Sequence, residues 1–148
     1  MTVIGLYVID QNISSLEGIQ SYTNLVTLDC WQNQLINLDV TQNPNLKRLI
    51  AYENQLVNLS VTENTNLEEL ICYISQIVSL DISNNSNLEF LSCYENQISS
   101  IDVTQNPNLT VLFCPNNQLL NLNLKNGNNH NMIRMWASDT PLILHAFK

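Results

Sequence analysis

Positive charge is what this chain has least of. Lys and Arg number 5 against 13 Asp and Glu in 148 residues, for a formal net charge of −8. Nucleic-acid binding draws its affinity from clustered bases, yet Lys47, Arg48, Lys125, Arg134 and Lys148 are scattered along the chain. Nucleic acid is therefore excluded as a partner, and an anionic membrane surface is disfavoured for the same reason. Glycine and proline are also scarce, at 3 and 4 residues, which excludes a collagen-like or linker-like chain. No apolar run approaches the roughly 18 residues of a membrane-spanning helix. Only 12% of residues are charged while 45% are hydrophobic, too apolar for a disordered acidic tail and sufficient for one buried core. The opening Met-Thr-Val-Ile-Gly has no basic region ahead of a long apolar stretch, so no signal peptide is read there.

Asparagine is abundant instead, with 24 copies, about one residue in six. Asn favours turns over helix or strand interiors, so the chain must bend often. The bends recur: Leu25, Leu46, Leu67, Leu88 and Leu109 are separated by steps of 21. Each opens a unit of the form Leu-x-x-Leu-x-Cys-x-x-Asn-Gln-Leu-x-x-Leu-x-Val-x-x-Asn-x-Asn. The expected organisation is a single domain, 1–148, of about seven repeats: 3–24, 25–45, 46–66, 67–87, 88–108, 109–131 and a partial 132–148. In the last of these Met132, Met135, Ala137, Thr140, Leu142 and Phe147 match core positions.

This is the leucine-rich-repeat signature, and the physics agrees with it. Alternation of period two turns Leu28 and Cys30 inward and Asp29 outward, as in a half-buried strand. Leu38 and Val40 form a second inward pair across the unit. One unit cannot bury its apolar side alone, whereas units stacked at ~4.8 Å make a parallel sheet over a continuous core. Asn33 and its equivalents are placed to turn the chain and bond main-chain groups of neighbouring turns. A 21-residue unit with Pro44 and Pro107 in its return leaves little room for helix. The expected fold is a right-handed leucine-rich-repeat solenoid, mostly β, with a parallel concave sheet, short convex strands and turns.

The unit resembles the cysteine-containing leucine-rich repeats of bacterial surface proteins, the internalin J-like group, in which a Cys stands at the third core position. It is similar also to secreted Bacteroidetes leucine-rich-repeat proteins, whose units run like Leu-Asp-Val-Thr-Gln-Asn-Pro-Asn-Leu at residues 38–46. Residues 13–19 look like that family's first repeat and residues 122–129 like its late irregular one, so the resemblance covers residues 3–132. It implies an extracellular or cell-surface protein engaged in adhesion or recognition. Family members carry an export signal and a C-terminal anchoring module. The wording of residues 138–148 departs from the repeat, and a segment of a longer protein is expected.

Cys30, Cys72, Cys93 and Cys114 share one column with Ala51, Val8 and Ala137. Exchange with Ala and Val is the behaviour of a small buried apolar group, so free thiols are expected rather than disulfides. A line of thiols cannot converge tetrahedrally on zinc. His130 and His145 lie far in the repeat frame from any nucleophile, and no triad can be assembled. Glu68 and Glu69 are expected to pair across strands with Lys47 and Arg48. Asp39, Asp81 and Asp102 share a column with Ser60 and Asn123, too sparse for the 6 to 8 oxygen ligands of Ca²⁺, and turn capping is expected of them. The sequons at Asn12, Asn58, Asn84 and Asn108 carry no weight in a chain so rich in Asn. No cofactor, metal site or catalytic residue follows, and the chain reads as non-enzymatic.

Outward positions on the concave sheet are where the sequence becomes specific. Just after the Cys column stand Ile9, Trp31, Tyr52, Tyr73, Tyr94, Pro115 and Ser138. Two residues before them come Tyr7, Asp29, Ile50, Ile71, Ser92, Phe113 and Trp136. With Phe90, eight of the ten aromatics face outward. Two explanations remain. Aromatic neighbours stabilise a sheet by about 0.2 to 1 kcal/mol per pair, and contiguous exposed apolar surface marks a partner site. The candidate ligand-binding residues are Trp31, Tyr52, Tyr73 and Tyr94 at the centre, with Ile50, Ile71, Phe90, Phe113, Trp136 and Tyr7 beside them. Glu53, Glu68, Glu69, Glu89 and Glu95 flank this stripe, so the expected partner is a protein with a basic, apolar surface, or a glycan. The alternative is a structural spacer or targeting segment of a larger secreted or surface protein, with any catalytic module elsewhere.

Overall fold

A computed structural model describes residues 3–139, with backbone alone at 129 and 143–145. The expected core positions Thr140, Leu142 and Phe147, and the side chain of His145, lie outside the described residues. Strands of three residues succeed one another along the chain: β1 Gly5–Tyr7, β2 Thr27–Asp29, β3 Asn37–Asp39, β4 Arg48–Ile50, β5 Asn58–Ser60 and β6 Glu69–Ile71. They continue as β7 Phe90–Ser92, β8 Ser100–Asp102, β9 Val111–Phe113, β10 Asn121–Asn123, β11 Arg134–Trp136 and β12 Ile143–His145. The helical content described is two single 3-10 turns, Ile19–Ser21 and Asn129–Asn131.

Seven strands form one parallel sheet in the order β1-β2-β4-β6-β7-β9-β11. Its register sets Leu28 beside Leu49, Leu49 beside Leu70, Leu70 beside Leu91 and Leu91 beside Leu112. This is the concave sheet of a leucine-rich-repeat solenoid. The convex return carries two shorter parallel ribbons, β3-β5 and β8-β10-β12, interrupted at residues 79–81. Between the two layers lie the column residues Leu25, Leu28, Cys30, Leu35 and Val40 and their copies as far as Leu124, all buried. Burying each Leu contributes roughly 1.5–3 kcal/mol, which is why a unit with no long element of its own holds its shape.

The four cysteines are free and buried. Burial pushes the thiols of Cys30, Cys72 and Cys114 up to about 12 and that of Cys93 well above the ordinary value, so all four stay protonated and inert at neutral pH. This is the small apolar column that the exchange with Ala and Val implies.

Two asparagine ladders tie the units. On the concave edge, Asn54 Nδ2 donates to the carbonyls of Cys30 and Ala51 at 3.1 Å and of Tyr52 at 3.3 Å, while its Oδ1 accepts from the Leu35 N–H at 3.0 Å. Asn33, Asn96 and Asn117 bridge in the same manner. On the return, Asn43, Asn64, Asn85 and Asn106 each donate twice to carbonyls of the preceding unit. The first ladder has a missing rung: Ser75 stands where Asn is usual, and its buried hydroxyl has no hydrogen-bond partner. The residue before each rung is left-handed, with φ of 56° at Gln32, 51° at Glu53, 50° at Ile74, 51° at Glu95 and 53° at Asn116. Ile74 is β-branched, the residue type that conformation suits least, so strain and the lost rung fall in one turn.

Candidate functional site

The left-handed residue turns the chain off the sheet, and the residue just before it projects from the concave edge. Because that position repeats with the strands, its side chains meet ring to ring. Trp31 and Tyr52 stack with centroids 5.0 Å apart and planes 10° from parallel. Tyr52 and Tyr73 follow at 4.4 Å and 15°, then Tyr73 and Tyr94 at 4.2 Å and 12°. The four central residues of the sequence reading thus form one continuous stack. Burial, and then the Tyr73 hydroxyl between them, pushes the phenols of Tyr52 and Tyr94 up to about 12, so both are neutral hydrogen-bonding groups at physiological pH.

The neighbouring rows fill the floor beside the stack. Phe90 and Phe113 meet edge to face at 6.0 Å and 82°. Ile71 is half-buried, whereas Ile50, between Asp29 and Ile71 in register, is 4% exposed and shapes the floor from beneath. Tyr7 and Trp136, at opposite ends of the sheet, are 64% and 59% exposed. Tyr7 does not join the stack. Its ring lies over Gly5, where an added Cβ would come within 2.9 Å of Tyr7 Cε2.

Charge is arranged along one side. Lys47 Nζ meets Glu68 Oε1 at 2.7 Å and Arg48 Nε meets Glu69 Oε2 at 2.6 Å, the cross-strand pairs expected. Asp29 points outward as expected, yet it is buried. Lying between Tyr7 and Ile50 in register, it is only 9% exposed, and its Oδ1 has no hydrogen-bond partner. Burial raises its carboxyl above the usual range, with Arg48 opposing the rise and Glu69 adding to it. The convex Asp column behaves as expected of caps. Asp39, Asp81 and Asp102 accept from the backbone N–H of Thr41, Ser83 and Thr104 at 3.0, 3.0 and 2.8 Å. His130 is exposed in the second 3-10 turn.

Pro115 stands in the row of the stack, one unit after Tyr94. A pyrrolidine ring is not aromatic, so the run of stacked aromatic rings ends at Tyr94, and a recess of about 390 Å³ opens beyond it, lined by Tyr94, Glu95, Phe113, Pro115, Asn116 and Trp136. The signal was available as a proline following four successive aromatics in one column.

Seven parallel strands with buried Leu and Cys columns, turned by bridging asparagines, define a leucine-rich-repeat protein. No protein-family model matches the sequence, and no curated protein matches it. Solved structures do. A Leptospira interrogans leucine-rich-repeat protein is 31% identical with a TM-score of 0.79, covering 89% of this chain and 36% of its own. The functional domain of InlJ from Listeria monocytogenes, described as including a cysteine ladder, is 26% identical with a TM-score of 0.60, covering 95% and 40%. An internalin, InlF, from the same organism shares the fold with a TM-score of 0.82 at 24% identity, covering 88% and 39%. The chain thus resembles the bacterial cysteine-containing leucine-rich-repeat proteins, and it spans well under half the length of these three. Among the described residues no helix is long and apolar enough to cross a membrane.

Proposed function

We propose that this chain is a non-catalytic recognition module, a single domain of about seven repeats, which binds a protein partner through its concave face and acts outside the cell or at its surface. The observation that carries this reading is the unbroken stack of Trp31, Tyr52, Tyr73 and Tyr94. A parallel solenoid sheet needs only its inward column to fold, so four large rings on the outward side are surplus to folding. Half-buried aromatics held rigid by one another cost little entropy to immobilise further, which suits them to binding hot spots. The flanking acids and the net charge of −8 favour a partner surface that is basic and apolar. The competing reading makes the rings a brace for a structural spacer. It is favoured by the short ring distances themselves, because stacked pairs also strengthen the sheet.

One experiment separates the two. The protein and a Tyr52→Ser, Tyr73→Ser double variant are passed over protein and glycan arrays, with Asn58→Ser on the convex strand β5 as control. Removing the two rings breaks all three stacked pairs and should cost about 0.6–3 kcal/mol of stability. Discrete protein binding by the native chain and the control, lost in a double variant whose circular dichroism is native, is the expected result. Binding that survives the double substitution, or no binding by the native chain, refutes the recognition reading. Retention of glycans alone reassigns the partner.

A further inference from the structure

The recess at the end of the stack differs from the stack in its chemistry. It is bounded by rings from three successive units of the sheet and by the Glu95 carboxylate. Tyr94 has one face against Tyr73, and among the described residues its other side stacks on no further ring, because Pro115 occupies the next rung. Phe113 is held edge to face by Phe90. Trp136 ties its indole Nε1–H to Ser138 Oγ at 2.7 Å, which fixes the ring while leaving it 59% exposed. Glu95 takes part in neither of the ion pairs among the described residues. Among the described residues no Lys or Arg lines the recess, and Arg134, two residues before Trp136, lies outside the lining.

Three aromatic rings and a carboxylate outside both ion pairs around one space make a cage for an organic cation: ring quadrupoles attract positive charge, most strongly over Trp, and the carboxylate supplies the counter-charge. We propose that the Tyr94–Phe113–Trp136 recess, with Glu95 at its rim, receives a cationic side chain of the protein partner, arginine ahead of lysine. The planar guanidinium stacks flat on a ring and offers a fork to the carboxylate, which a compact ammonium does not. A neutral sugar hydroxyl also donates to a carboxylate, but it draws no charge attraction from the carboxylate or from the ring quadrupoles. This deepens the recognition reading and rests on it for the identity of the occupant, but the site itself is testable without a partner.

The test is an NMR titration of the full 148-residue protein with acetyl-Gly-Arg-Gly-amide. Parallel titrations use the same peptide carrying citrulline, the neutral isostere of arginine, and methyl β-glucoside. Trp136 and Trp31 each give one indole N–H signal, so Trp31 serves as an internal control on the stack. A saturable shift of the Trp136 signal with the arginine peptide, and little at Trp31, is expected. Affinity should fall about fivefold or more for citrulline and by a similar factor in Glu95→Gln. Glu95 is exposed, so that variant should keep the native amide spectrum. Equal response to arginine and citrulline would overturn the cation site. So would a response to the glucoside alone, or silence at Trp136 up to about 10 mM, an order of magnitude beyond a millimolar site. Arginine binding without any array partner upholds the cage and sinks the recognition reading, whereas a stack-dependent partner with a silent Trp136 does the reverse.

Discussion

The concave and convex sides are built to the same rule and present opposite surfaces. On both, three-residue parallel strands turn their middle residue inward: Leu49 and Leu70 on one side, Leu38 and Leu59 on the other. The outward neighbours diverge. On the convex strands β3, β5 and β8 they are Asn37, Asp39, Asn58, Ser60, Ser100 and Asp102, all exposed. On the concave strands they include Ile50, Ile71, Phe90 and Phe113, covered or half-covered by each other. The fold dictates the inward column alone and is indifferent to what stands outside it. Aromatic occupancy of one outward face and not the other is therefore not required by the inward column, and it is the contrast on which the proposed recognition face rests.

The largest test of that rule strikes both sides at once. Leu70→Ala in the concave sheet and Leu59→Ala beneath the convex ribbon should each cost about 2–5 kcal/mol in chemical denaturation. Both residues are buried, at 0% and 5% exposure, so comparable losses are expected. A convex loss under about 1 kcal/mol would break the shared-core account, since well-buried Leu does not collapse so cheaply.

A smaller effect sharpens where the two sides differ in regularity. The convex ribbon is interrupted at residues 79–81, in the unit whose concave ladder has lost its rung at Ser75. Ser75→Asn should restore the amide bridge made by Asn54 and Asn96 and raise stability by about 1–2 kcal/mol, the net worth of a hydrogen bond or two. Hydrogen exchange at residues 79–81 then tells whether the two defects are one. Slowed exchange ties the convex gap to the missing rung. Unchanged exchange assigns the gap to the convex residues themselves.

The columns were legible in the sequence because the chain states each requirement several times. Leu28, Leu49, Leu70, Leu91 and Leu112 answer one steric demand, as do the bridging asparagines and the free cysteines, and repetition separates a constraint from an accident. The ring stack was legible for the same reason. Events that occur once were not. Asp29 is buried by the particular side chains on either side of it, Tyr7 folds over Gly5 because that one position lacks a Cβ, and Pro115 opens a recess by interrupting a row. Each depends on side-chain packing between two rungs, which a pattern averaged over rungs does not contain.

The smallest effects set the two faces against each other by sign. On the convex side Asp39 is held below the usual carboxyl range by its bonds from the Thr41 hydroxyl and N–H, and Asp81 by those from Ser83. The folded state thus releases their protons more readily than the unfolded chain. The stability they contribute is present above the unfolded value near 3.9 and is lost as pH falls through the lower folded value. On the concave side Asp29 is raised, chiefly by burial. Its folded state holds the proton longer, so stability is full below the unfolded value and declines as pH rises through the higher folded one. Carboxyl NMR titration should therefore find Asp29 ionising last of the three. Asp29→Asn should raise the melting temperature slightly at pH 7 and leave it nearly unchanged at pH 3, where the native side chain is already neutral. Asp39→Asn should lower it at pH 7, because the amide binds the Thr41 donors less strongly than the carboxylate does. A concave carboxylate that costs stability at neutral pH, on the face proposed to meet a basic partner, is one whose burden a bound cation would relieve. Titration of Asp29 at or below Asp39 would remove that asymmetry between the faces.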